Sequence, residues 1–215
     1  YRNHPEEASS LSNDVVTSIK EDSNGFLWVG TLSGLNRYNP QSDGFDHFRN
    51  DPQDPDSLSS DAISVIFEAS DQQLWIGTGA FGVEGAGLNR FDPSTGKAVR
   101  YQHNESDSKS LSSNNISAIY EASDGTFWIA TGGFSLQGGG LNQFDPRTGN
   151  VQIFSHKPRV GDSVSANEIM TLWGDSSGVL WIGTWANGLD RMELSNPGHF
   201  IHFQNDRFVP ESLSG

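Results

Sequence analysis

Four copies of one pentapeptide constrain this chain more than any other feature in it. LWVGT at 27–31, LWIGT at 74–78, FWIAT at 127–131 and LWIGT at 180–184 place tryptophans at 28, 75, 128 and 181, which stand 47, 53 and 53 residues apart. Upstream of each lies a second marker: SLSND at 10–14, SLSSD at 57–61, SLSSN at 110–114 and SVSAN at 163–167. From the apolar residue of that marker (Leu11, Leu58, Leu111, Val164) to the tryptophan is 17 residues in every copy. Spacing that constant means one supersecondary unit made four times.

Turn residues divide each unit into four short strands. The first is exemplified by AISVIFE at 62–68, and a polar turn such as DSNG or SDG leads into the second, which carries the Trp motif and is rich in β-formers. The third is GLNRYN, GLNRFD, GLNQFD or GLDRME; the fourth ends on an aromatic, Phe48, Tyr101, Phe154 or Phe203. Between them, DPSTG at 92–96 and DPRTG at 145–149 put Pro and Gly where a tight turn needs them. No segment sustains a helical period. Four antiparallel strands in roughly 50 residues make a propeller blade. The expected fold is all-β, four four-stranded antiparallel repeats forming β-propeller blades.

One glycine pattern competes with this reading. Gly77-x-Gly79-x-x-Gly82 follows an apolar run with the spacing of a dinucleotide-binding fingerprint. That fingerprint needs a helix to begin inside the glycine run, so that free amides face a phosphate. Here the next ordered piece is the strand GLNRFD, and the match is accidental.

Framing carries a further expectation. Nine residues separate each closing aromatic from the next marker, and Tyr1 stands the same distance before Leu11. Residues 1–9 therefore read as the end of a preceding blade and 210–215 as the start of a next one. The blades run about 10–56, 57–109, 110–162 and 163–209, and the whole reads as a fragment of a larger propeller. Blades left open at the ends would favour a homo-oligomer through their uncovered faces.

The pattern D-x-x-G-x-LWIGT-x-x-GL-x-RFDP-x-TG followed by PxSLSSN resembles the two-component regulator propeller repeat, over essentially the whole chain. The resemblance implies a periplasmic sensor region, placed ahead of a membrane helix and a signalling output such as a histidine kinase or a diguanylate cyclase. On that implication the chain is a ligand-sensing segment of a bacterial membrane-bound receptor, itself non-catalytic, and reaches the membrane only through parent segments. The repeat motif is structural and does not name a ligand. Ala130 stands where the motif has glycine, and the fourth copy has Trp185 after its motif and no DPxTG turn.

Composition narrows the partners. A formal charge of −14, from 27 acidic and 13 basic residues, argues against nucleic acid, because phosphate binding needs clustered Lys and Arg. There is no cysteine, which removes disulfides, thiolate catalysis and Cys-ligated zinc. No HExxH or Glu-x-x-His occurs, and the histidines (His4, His47, His103, His156, His199, His202) are spread along the repeats. The expectation is no catalytic residues, no metal and no cofactor. The alternatives are a propeller enzyme acting on glycans, as a lyase or hydrolase, and a structural or protein-docking propeller.

Candidate recognition residues follow from where the repeats differ. In a four-stranded meander, the link from second to third strand emerges on the same face as the link between blades. Between the motif Thr and the Gly-Leu pair, blade one has Leu32 and Ser33, blade four has Trp185, Ala186 and Asn187, and the middle blades have eight residues each, GAFGVEGA at 79–86 and GGFSLQGG at 132–139. Loops that grow on one face of a rigid scaffold carry recognition. Phe81 with Glu84, Phe134 with Gln137, and Trp185 with Asn187 are thus the candidates for a small-molecule or oligosaccharide ligand, or a partner. The plainer reading has the two Phe rings packing over the blade top. Trp28, Trp75, Trp128 and Trp181 are expected in the core. The Asx residues Asp14, Asp61, Asn114 and Asn167 read as caps on the inter-blade turns, or as a polar ring at a central channel. Asp51, Asp54 and Asp56 read as a solvated loop, with Ca²⁺ the alternative.

Overall fold

The computed structural model describes residues 1–133, 136–206, 208–209 and 212–213, and among these every regular element is a strand. The first sheet contains β1 (Val16–Glu21), β2 (Leu27–Thr31), β3 (Gly34–Asn39) and β4 (Gly44–Phe48). The second contains β5 (Ile63–Glu68), β6 (Leu74–Thr78), β7 (Leu88–Asp92) and β8 (Lys97–Tyr101). The third contains β9 (Ile116–Glu121), β10 (Phe127–Thr131), β11 (Leu141–Phe144) and β12 (Val151–Phe154). The fourth contains β13 (Ile169–Gly174), β14 (Val179–Thr184), β15 (Leu189–Glu193) and β16 (Phe200–Phe203). Each sheet is an antiparallel meander in chain order. All four outer strands end on the expected aromatic. No helix of the described residues is long and apolar enough to cross a membrane.

Alternation along the strands gives each sheet two apolar faces, and consecutive sheets bury them against each other. Trp28, Leu35 and Phe48 of the first sheet pack on Leu58, Ile63, Ile66, Leu74, Ile76, Phe91 and Ala98 of the second. The same positions recur one step on: Trp75, Leu88 and Tyr101 meet Leu111, Ile116, Phe127, Ile129, Phe144 and Val151. Trp128, Leu141 and Phe154 then meet Val164, Ile169, Leu180, Ile182, Met192 and Phe200. The closing aromatic contacts the third-strand or fourth-strand ring of the next blade, as in Phe48–Phe91 at 5.1 Å, Tyr101–Phe144 at 5.1 Å and Phe154–Phe200 at 6.3 Å. Tyr1 takes the same place before the first sheet, 5.3 Å from Phe45 and 5.7 Å from Tyr38.

Inner strands β1, β5, β9 and β13 pack in sequence, and no comparable packing joins β13 back to β1. Among the described residues the sheets form an open arc. Its ends account for one difference from the expected tryptophan core. Trp28, Trp75 and Trp128 are 0–2% exposed, but Trp181 is only half-buried, because among the described residues no further sheet packs on its face. Trp173 on the same face is 63% exposed, and on the opposite end of the arc Ile19 is 66% exposed, where its equivalent Ile66 is 6%.

The motif Gly is explained by this packing. A Cβ on Gly77 would sit 2.6 Å from Val65 and 2.8 Å from Ile116, the inner strand of the next blade. The motif Thr clamps the loop it opens: the hydroxyls of Thr31, Thr78, Thr131 and Thr184 donate to the carbonyls of Gly34, Gly87, Gly140 and Gly188 at 2.7–3.0 Å. The glycine run at 77–82 leads through an irregular loop into β7, as expected for a chain without a phosphate-binding helix.

Candidate functional site

The face that carries the β2–β3-type loops also carries the inter-blade connections. Backbone bonds tie the two together: the amides of Gly34, Gly87 and Gly140 donate to the carbonyls of Asp61, Asn114 and Asn167 at 2.8–3.1 Å. Those Asx residues also cap the connection behind them. The carboxylate or amide oxygens of Asp14, Asp61, Asn114 and Asn167 accept the amides of Asn3, Asn50, His103 and His156, each at 2.7 Å. Capping is therefore their observed role. The acidic connection at 51–56 is similarly occupied. Asp51 and Asp54 accept the amides of Gln53 and Asp56, and Asp56 pairs with Lys97 at 3.0 Å.

The two long loops differ from the rest in how they are held. In the loop at 79–86, Ala80 and Val83 exchange backbone hydrogen bonds at 3.1 and 2.9 Å, leaving Phe81 and Gly82 at the tip. Both tip residues have positive φ, 50° for Phe81 and 78° for Gly82. A non-glycine residue in that region is uncommon and costs of order 1 kcal/mol. Phe81 is 61% exposed, so it does not pack over the blade top. Its counterpart Phe134 lies outside the described residues; the loop around it is closed by a matching bridge between Gly133 and Leu136.

Both loops lean onto the following blade and meet at Asn115, a residue the sequence reading passed over in favour of Asn114. Asn115 is 4% exposed. Its side-chain oxygen accepts the Gly85 amide at 2.8 Å, and its amide group donates to the Glu84 carboxylate at 3.0 Å and the Gln137 carbonyl at 3.2 Å. The Gly132 amide donates to its backbone carbonyl at 2.8 Å. Close approach of loop to blade needs glycine: a Cβ on Gly85 would lie 2.5 Å from the Asn114 carbonyl, and one on Gly138 still closer to that of Asn167. Glu84 and Gln137 are thereby brought together, and both remain exposed. The available signal was that only the third copy has an amide at this position, where the others have Val15, Ala62 and Glu168.

Trp185 and Asn187 lie apart from that pair, over blade four. They line a cleft of about 590 Å³ together with Gln204 and Asn205, and Trp185 is 51% exposed. Asn187 is partly spent on structure, donating to the Ser165 carbonyl at 2.7 Å. A second cleft of about 430 Å³ adjoins it and shares Asn187 and Gln204, adding Lys157, Arg159 and His202. Among the described residues no group of three or more His, Asp or Glu side chains is placed to hold a metal ion.

Residues 10–33, 57–80 and 110–133 match the model of the two component regulator propeller. Three of the four blades therefore carry the two-component regulator propeller repeat. The matched segments run from the SLS marker through the Trp motif, so they cover the inner half of each repeat in the first three blades. The fourth repeat, outside the match, is the one carrying Trp185. The extracellular domain assigned to the hybrid two component system BT3049 of B. thetaiotaomicron has a TM-score of 0.75 at 24% identity, over 94% of this chain and 26% of that one. That of BT4673 from the same organism has a TM-score of 0.70 at 24% identity, over 88% and 25%. Virginiamycin B lyase from Staphylococcus aureus has a TM-score of 0.59 at 17% identity, over 94% and 59%. At such identities the shared property is the propeller fold, and the repeats here span about a quarter of the first two proteins. No curated protein matches the chain at the sequence level.

Proposed function

We propose that these repeats are the extracytoplasmic, ligand-sensing part of a bacterial membrane-bound signal-transduction receptor, that they are not themselves catalytic, and that the loop-bearing face is the recognition surface. One observation carries the reading: the blade framework repeats almost residue for residue, while the loops of one face lengthen and present an exposed aromatic on a strained, well-bonded tip. Paying backbone strain to display Phe81 is hard to account for by folding alone. Similarity to the extracellular domains of hybrid two component systems supports the location and the sensing role.

Phe81, Glu84 and Gln137 form one contact region in this proposal, and Trp185 with Asn187 form another. Exposed aromatic rings beside amides and a carboxylate suit an oligosaccharide or a similar polyhydroxylated small molecule, whose C–H faces stack on rings and whose hydroxyls take the polar groups. A thermal-shift and calorimetric screen against neutral and acidic oligosaccharides tests this. Binding that Phe81→Ala or Trp185→Ala weakens at least tenfold without lowering the melting temperature supports the assignment. Binding indifferent to both substitutions, or turnover of any bound sugar, overturns it.

A further inference from the structure

Third strands carry a buried amide immediately after their leucine. Asn36, Asn89 and Asn142 are each 0% exposed. Each accepts the amide of a marker serine (Ser12, Ser59, Ser112) at 2.8–3.0 Å and donates to the carbonyl of its own second strand (Val29, Ile76, Ile129) at 2.9–3.2 Å. In the fourth blade the position is Asp190, also 0% exposed. It accepts the Ser165 amide at 2.8 Å as its counterparts do, but a carboxylate has no hydrogen to give. The consequence is visible next to it. In the second and third blades the Asn side chain donates to the hydroxyl of Ser59 or Ser112, whereas the buried Ser165 hydroxyl has no partner.

What compensates the buried charge is His202, opposite Asp190 across β15 and β16. Its Nδ1 lies 2.6 Å from the carboxylate and its Nε2 lies 3.0 Å from the Gly161 carbonyl. Both ring nitrogens face acceptors, and only the doubly protonated ring donates to both. Blade one supplies a comparison: His47 stands opposite Asn36 and turns its Nε2 to the Ser10 carbonyl.

We infer that Asp190 and His202 form a proton-binding latch, in which the imidazolium ties the connection at 157–163 to the upper end of blade four and loss of its proton frees that connection. Once Nε2 loses its hydrogen, its lone pair faces the Gly161 carbonyl and the contact turns repulsive, while Nδ1 keeps its proton toward Asp190. The connection is held against its own preference, since Arg159 sits at a φ of 68°. Its residues line the cleft shared with Asn187 and Gln204, so the latch sets the shape of that part of the recognition face.

The groups facing His202 are accounted for on each side. Asp190 lies on β15, Asp162 lies on the connection and reaches His199 at 3.8 Å, and His156, Lys157 and Arg159 line the cleft. Burial opposes the charged ring, but the bonds to Asp190 and to the Gly161 carbonyl, with the charges of Asp190 and Asp162, outweigh it and raise the His202 pKa. A raised folded pKa means that the stabilisation is complete below the ordinary histidine value and is lost as pH climbs through the folded one.

The test follows the six histidine rings by NMR between pH 5 and pH 9, with amide exchange at 157–163 normalised for intrinsic rates. His202 is expected to have a midpoint above the ordinary histidine value, and protection of the connection to fall through that same midpoint. Asp190→Asn restores the residue that the other blades use, and should lower the His202 midpoint by about one unit or more. His202→Gln keeps a donor and removes the titration, so protection should become independent of pH. A His202 midpoint no higher than the ordinary histidine value of about 6.5, or one unmoved by Asp190→Asn, overturns the latch. So does protection at 157–163 that ignores pH in the unsubstituted protein. Should Asp190→Asn fail to fold, as judged by near-ultraviolet circular dichroism, the His202→Gln comparison decides.

Discussion

Placing a carboxylate at the equivalent position of blade three, by Asn142→Asp, isolates what the histidine contributes in blade four. Asn142 is 0% exposed and donates to the Ile129 carbonyl at 3.2 Å and the Ser112 hydroxyl at 2.9 Å; its cross-strand neighbour is Ile153, which offers no charge. The introduced group has two costly options. Ionised, it is a buried charge without a partner, a penalty of several kcal/mol. Neutral, it gives up one of two donated bonds, about 1 kcal/mol, and must hold its proton far above an ordinary carboxyl pKa of about 3.9. Each pH unit above that value costs about 1.4 kcal/mol, so the proton alone costs about 4 kcal/mol at pH 7. The predicted destabilisation is about 4–5 kcal/mol at pH 7 and about 2 kcal/mol at pH 4.5. Urea unfolding followed by circular dichroism at both pH values measures it. Adding Ile153→His should return a large part of the loss at pH 7, by recreating the pair of blade four. A cost below about 1 kcal/mol at pH 7, a cost equal at the two pH values, or no recovery in the double variant would refute the reasoning.

Four other outcomes follow from the packing, the loops and one turn. Trp75→Ala removes a ring that packs within 5.1–5.6 Å of Tyr101, Phe127 and Phe144, and should cost about 3–5 kcal/mol in urea unfolding. Trp173→Ser, at a 63% exposed position, should stay within about 0.5 kcal/mol by the same assay. Asn115→Ala unties both long loops; global stability should fall by about 2 kcal/mol, and amide exchange at 79–86 should rise well above that of the blade strands. Asp175 is held down to about 2 by the Ser177 hydroxyl, with the amides of Val179 and Ser177 and the Trp181 ring also donating, against the opposing effect of burial. A depressed folded pKa stabilises above the ordinary carboxyl value and is lost as pH falls through the folded one, so the turn at 175–179 should stay formed near pH 3 and open around pH 2. Ser177→Ala should raise the midpoint in a carboxyl-carbon NMR titration.

The periodicity fixed a great deal in advance. Constant spacing between marker and tryptophan, alternating apolar residues and Pro-Gly turns determined sixteen short strands in four meanders, because strand periodicity and turn chemistry are local properties of the chain. The same reading located the loop-bearing face, since a meander's geometry fixes which connections share a side. It also placed Tyr1 as a closing aromatic, the position it takes against Phe45.

Only the tertiary structure decided the rest. That the arc is open, and that Trp181 is left half-buried while its three counterparts are sealed, depends on whether a neighbouring sheet arrives, which no single repeat encodes. Phe81 was ambiguous in sequence because a ring among glycines packs inward or projects outward according to what lies above the blade. Asn115 gained its role from two loops, one reaching across the blade boundary from 30 residues before it and the other belonging to its own blade, 22 residues after it. Asp190 was in plain view as GLD among three copies of GLN. Its meaning came from a histidine twelve residues on and a serine left without a donor, since the cost of a buried charge depends on its surroundings and not on its neighbours in the chain.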